Sequence, residues 1–158
     1  MKKSDILTLV NAGALNATQH ELSSAHSYKV FKFKSLLRKE FAAIQEADGE
    51  LLKECGIEDG VSFDARLAEL RKMESPTKEE KKELEAMTEK LAKYLGLQKE
   101  LYNEEVTLDV KPIPYDEWTK LQNENKAVSF LGTEKDVFSG YVEELLFGVL
   151  WKAPDEDE

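Results

Sequence analysis

Apolar residues recur at helical spacing over most of the chain. Val30, Phe33, Leu37, Phe41 and Ile44 are three, four, four and three residues apart, which places them on one face of an α-helix. The segment "FKFK" (Phe31 to Lys34) also alternates with the period of a strand, but five helix-spaced positions outweigh four alternating ones. The spacing predicts a helix over 28–54, with Gly56 where a left-handed residue ends such an element.

An earlier helix is expected over 4–18, with Ser4 as N-cap and Ile6, Leu9 and Val10 on one face. The polar run "NATQHELSSAHS" (16–27) reads as a connection. After the turn region "IEDGVSF", the stretch "FDARLAELRKME" predicts a short helix with Ser62 as its cap. Thr77 and Glu80 then have the spacing of a capping box, directly after Pro76. The helix they open is predicted over 78–103, with Leu84, Met87, Leu91, Leu95, Gln98 and Leu101 or Tyr102 on its apolar stripe. Gly96 interrupts it and suggests a kink or a close approach of another backbone.

The period changes at Val106. Val106, Leu108 and Val110 alternate with Thr107, Asp109 and Lys111, the pattern of a half-buried strand that Pro112 and Pro114 end. A short helix is predicted in "YDEWTKLQNEN", a second short strand in "AVSFL" (127–131), and a last helix over 134–151. The expected fold is mainly α with a small β element (α+β): a long antiparallel helical pair, short helices, and one or two short strands. One domain is expected over 1–152, with a helical arm at 56–76 and a disordered acidic tail at 153–158.

Composition narrows the function classes. The chain has 158 residues, 41% hydrophobic and 34% charged, enough to bury a core without a staple. Cys55 is the single cysteine, so no disulfide can form within the chain. Apolar runs are too short to span a bilayer, and Asp5, Thr8 and Asn11 break up the N-terminal apolar stretch. A soluble protein and no membrane partner are expected. The net charge of −10 disfavours binding to phosphate backbones and favours solubility or a basic partner.

Candidate chemistry is sparse. His20, Glu21 and His26 are the only histidine cluster, but the six-residue spacing does not match a helical metal pair. Glu79, Glu80, Glu83, Glu85 and Glu89 interleave with lysines as on an exposed helix face. Asp116 and Glu117 fall in the first turn of a predicted helix, where carboxylates favour the dipole. There is no glycine-rich phosphate loop and no nucleophile motif. No catalytic, cofactor-binding or metal-binding residues are therefore assigned, and no enzyme activity is expected.

Two surfaces stand out. Lys29, Lys32, Lys34, Arg38 and Lys39, interleaved with Phe31 and Phe33, form the one basic patch of an acidic chain. They read either as a solvated helix face over a phenylalanine core or as a nucleic-acid contact with stacking aromatics. Leu146, Phe147, Leu150 and Trp151 lie in an apolar run that exceeds what one helix face buries, so they are candidates for a partner surface.

The segments "YKVFKFKSLLRKEF", "LQKELYNEEVTLDV" and "VFSGYVEELLFGVLW", about a third of the chain, carry a resemblance. In order and character they are similar to a family of small proteins encoded by tailed bacteriophages and prophages. The resemblance implies a phage or prophage origin and a place in the bacterial-host cytoplasm or the virion. That family supplies no catalytic residues. A non-enzymatic accessory protein is expected, acting through a protein partner or self-association, in virion assembly. The alternatives are an acidic decoy of a host nucleic-acid-binding protein and a nucleic-acid-binding module using 28–39.

Overall fold

The computed structural model describes residues 1–14, 24–117, 119, 145, 146 and 149–151. They are mainly α-helical. The named helices are α1 (Lys3–Asn11), α2 (Ser24–Glu54), α3 (Gly60–Lys72) and α4 (Lys78–Asn103). None of them is long and apolar enough to cross a membrane. Contacts divide the chain into two compact units: unit 1 is Met1–Ala42 with Glu105–Glu158, and unit 2 is Ala43–Glu104.

In unit 1, α1 starts one residue before Ser4, the expected cap. Lys2 is the N-cap instead: its backbone N–H donates to the Asp5 carboxylate at 2.7 Å, and its carbonyl accepts from the Asp5 N–H at 2.9 Å. The helix ends at Asn11, not at 18. Gly13 adopts φ of 89° and its N–H bonds the Val10 carbonyl, so a left-handed residue stops the helix early. The predicted connection at 16–27 lies largely outside the described residues, and α2 is helical from Ser24, four residues ahead of expectation.

The strand predicted at Val106–Val110 is absent, and no sheet occurs among the described residues. The alternation itself is real: Val106 and Leu108 are buried, Thr107 and Asp109 exposed. However, the Val110 N–H bonds the Leu108 carbonyl at 2.9 Å, a three-residue turn that breaks the extended path. Among the described residues, pairing is limited to isolated bridges on either side, Lys2 with Glu105 and Ile113 with Trp151. The second strand expected at 127–131 and the acidic tail lie outside the described residues.

The core of unit 1 takes Ile6 and Leu9 from α1, Val30, Phe33 and Leu37 from α2, then Val106, Leu108 and Ile113, and finally Leu146, Leu150 and Trp151. This corrects the expectation of an exposed partner surface at the C-terminal end. Leu146, Leu150 and Trp151 are interior residues, and Phe147 lies outside the described residues. The reason is non-local. The Ile113 N–H donates to the Leu150 carbonyl at 2.7 Å, so the segment after Leu108 covers apolar surface that a lone helix would leave open. Each such side chain contributes about 1.5–3 kcal/mol on burial.

In unit 2, α2 ends in a Schellman turn. Gly56 has φ of 76°, its N–H bonds the Lys53 carbonyl, and the Ile57 N–H bonds the Leu52 carbonyl. Ile57 is buried beside this turn. From there α4 runs back along α2. Lys90 Nζ lies 3.5 Å from the Gly56 carbonyl, while Tyr94 and Gln98, further along α4, bond Asp48, further back on α2. The two segments are therefore antiparallel within this unit.

α3, the helix of the expected arm, packs on α4. Its cap is Asp59 rather than Ser62: the Asp59 carboxylate accepts from the Val61 N–H and from Ser62 Oγ. Arg66 forms a two-bond fork with Glu83 on α4, at 2.9 and 2.8 Å, and reaches Glu69 at 3.0 Å. Thr77 and Glu80 make both bonds of the predicted capping box, and α4 starts at Lys78. It runs through Gly96 without interruption. Beyond its own chain neighbours and helix backbone, no atom of the described residues lies within 4 Å of a Cβ placed there, so Gly96 marks no close approach among them.

Two stability measurements check this arrangement. Phe33→Ala is expected to lower unfolding free energy by about 3–5 kcal/mol, while Phe31→Ala stays within about 0.5 kcal/mol, both read by denaturant titration. Gly96→Ala fills open space in a helix interior and is expected to raise stability by about 0.5–1 kcal/mol in the same assay.

Candidate functional site

One turn of α-helix advances 3.6 residues, so the buried stripe at Val30, Phe33 and Leu37 leaves Tyr28, Phe31, Ser35, Arg38 and Lys39 on the opposite side of α2. Tyr28 is 66% exposed and Phe31 57% exposed, one helical turn apart. The two phenylalanines of "FKFK" thus have opposite fates: Phe33 is fully buried and Phe31 faces solvent.

The five cations of the basic patch divide. Lys29 Nζ donates to the Pro112 carbonyl at 3.1 Å, and Lys32 Nζ lies 3.9 Å from the fully exposed Asp109 carboxylate. Exposed pairs of this kind contribute about 0–1 kcal/mol. Lys34 is half-buried, and desolvation, then the Arg38 charge, lowers its pKa. Arg38 and Lys39 are exposed and make no ion pair among the described residues. The outer face of α2 therefore presents two aromatic rings with Lys32, Arg38 and Lys39 beside them.

Unit 2 contains a second feature. A groove of about 280 Å³ runs between α2 and α4, with Ala47, Leu51, Leu97 and Leu101 as its apolar lining. Glu50, Glu54, Glu100 and Glu104 form the rest of its wall, and no cation lines it among the described residues. A smaller cavity of about 200 Å³ lies among Leu52, Ile57, Phe63, Leu91 and Tyr94. In unit 1, a cavity of about 210 Å³ is lined by Met1, Val106 to Leu108, Val110, Pro112 and Val149. Among the described residues, none of the three is lined by a histidine, cysteine or lysine.

The α2–α4 contact in unit 2 is held by a polar chain. Tyr94 Oη lies 2.8 and 2.9 Å from the Asp48 oxygens. Gln98 Nε2 lies 2.8 Å from Tyr94 Oη, 3.0 Å from Asp48 and 3.1 Å from Tyr102 Oη. Tyr94, Gln98 and Tyr102 are four residues apart, hence one above the other on one face of α4. Desolvation, then the bond to Asp48, raises the Tyr94 pKa; desolvation, then the Asp48 charge, raises that of Tyr102. Nearer the start of α4, the Arg66 fork lowers the Glu83 pKa and raises that of Arg66.

Among the remaining sequence candidates, His20 lies outside the described residues. His26 Nε2 is 3.8 Å from Glu117, and its Nδ1 is buried without a hydrogen-bond partner among the described residues. No three His, Cys, Asp or Glu side chains converge on a metal position among the described residues. The groove and the Asp48–Tyr94–Gln98–Tyr102 chain were not singled out by sequence reasoning. The available signal was the run Tyr94, Gln98, Tyr102 at intervals of four on an otherwise charged helix.

The raised tyrosine pKa values have a pH consequence. The folded state favours the protonated phenols, so their contribution is fully present below the ordinary tyrosine pKa of ~10 and is lost as pH rises from there through the raised folded-state values. Tyr94→Phe is expected to cost about 0.5–1.5 kcal/mol at neutral pH and to flatten the alkaline loss of stability. Denaturant midpoints measured at a series of alkaline pH values check both. An unchanged alkaline slope in the variant would remove Tyr94 as its source.

Comparison with protein-family models, with curated proteins and with solved structures finds no match to this chain.

Proposed function

We propose that the chain is a non-enzymatic interaction protein of phage or prophage origin, serving as an accessory in virion assembly through a protein partner. The observation that carries this reading is the outer face of α2. Two large aromatic side chains exposed a turn apart are costly to leave in water and are the kind of anchor that interfaces use. The flanking Lys32, Arg38 and Lys39 give that surface a sign, so the partner surface it fits is acidic. A helix that displays anchors at this spacing is read by lying in a groove. The resemblance of three segments to phage-encoded proteins supports the setting, in the host cytoplasm or the particle.

A second reading uses the same face. Aromatic rings set among cations also suit single-stranded nucleic acid. The net charge of −10 weighs against it, because affinity for a polyanion grows with each phosphate neutralised and falls with the repulsion of the whole chain.

The test is a photo-crosslinking residue introduced in place of Phe31 in bacterial cells that express the full chain, with the same residue at Val61 as control, a position 81% exposed. The expected result is one discrete protein adduct from position 31 and none of the same mass from 61. No protein adduct, together with low-salt binding of a fluorescent single-stranded oligonucleotide by the purified chain, would replace the first reading with the second.

A further inference from the structure

The groove in unit 2 and the outer face of α2 have complementary chemistry. The groove is apolar at Ala47, Leu51, Leu97 and Leu101 and acidic around them. Its volume of about 280 Å³ lies under the ~300–1,000 Å³ of small-molecule pockets. It suits a few inserted side chains better than a bound metabolite. An occupant must bring apolar or aromatic groups flanked by cations, spaced to follow two packed helices. Tyr28 and Phe31 with Lys32, Arg38 and Lys39 meet each requirement, displayed over about 16 Å of one helix.

We propose that the groove of one chain receives the α2 face of a second copy of the same chain. This rests on the interaction reading above and names its partner. The net charge of −10 on each copy opposes association. At physiological ionic strength, however, charges further apart than about 8 Å are largely screened. Cation–carboxylate pairs formed at the contact lie well inside that distance, so local complementarity outweighs the repulsion of the whole. The aromatic side chains supply burial that salt does not weaken.

The experiment uses the purified full chain and a pair of charge-reversing variants at exposed positions. Arg38→Glu with Lys39→Glu alters the face; Glu50→Lys with Glu54→Lys alters the groove. Sedimentation of the wild type over a concentration series is expected to show reversible association that weakens between about 0.1 and 1 M salt. Each variant alone is expected to associate at least tenfold more weakly, with an unchanged helical circular dichroism spectrum. Mixing the two variants restores association, because the reversed face then meets the reversed groove. A wild type that stays monomeric overturns the proposal. So does association untouched by either variant, or a mixture that fails to recover. If the chain is monomeric while the crosslink at position 31 captures a different protein, the partner named here falls and the interaction reading stands. If the crosslink captures no protein either, both fall.

Discussion

Burial of Val30, Phe33, Leu37 and Ile44 along α2 decides which side of that helix is interior, and the rest of its surface follows from that choice. Residues opposite the stripe cannot be turned inward without exposing it. A shift of one position would carry Phe33 into water and bring Lys32 or Lys34 into the apolar side, an exchange that removes a large burial term and adds the cost of a buried charge. Tyr28 and Phe31 are thus outward by constraint. No local rearrangement of the helix hides them.

Unit 2 relies on a different balance. Its buried apolar residues are few among those described: Ile44, Cys55, Ile57, Leu67, Leu70 and Leu101. Apolar contact alone sets helix registers loosely. The register is set by directional groups instead: the Asp48–Tyr94–Gln98–Tyr102 chain aligns α4 on α2, and the two-bond Arg66–Glu83 fork aligns α3 on α4. Forked guanidinium–carboxylate pairs impose a geometry that a single-point ammonium does not. These bonds add modest stability, since all are partly exposed to water, but they specify one alignment among several similar in burial.

What was legible in the sequence was local. The capping box of Thr77 and Glu80 and the uniform helix former content after it placed α4 at 78–103, and Gly56 placed the end of α2. Local signals with near competitors misled. Ser4 yielded to Lys2 with Asp5, Ser62 to Asp59, and the predicted continuation of α1 to Gly13. The alternation at Val106–Val110 was a true record of burial but not of pairing, because a half-buried segment alternates whether or not a second strand lies beside it. The helical spacing already put Phe33 on the apolar stripe, whereas the reading of Phe31 as core beside it failed because Phe31 lies off that stripe and faces solvent. The interior placement of Leu146, Leu150 and Trp151 depended on Ile113, over thirty residues away, and no periodicity within the C-terminal segment carries that information.

Cys55 sits at the last turn of α2, buried just before the left-handed Gly56, in a stretch whose backbone is closed by the bonds from Gly56 to Lys53 and from Ile57 to Leu52. A thiol in that position meets solvent when the turn opens. The chain therefore carries its own single-site reporter: the rate at which a thiol reagent reaches Cys55 follows how often this corner comes apart, without any label added from outside.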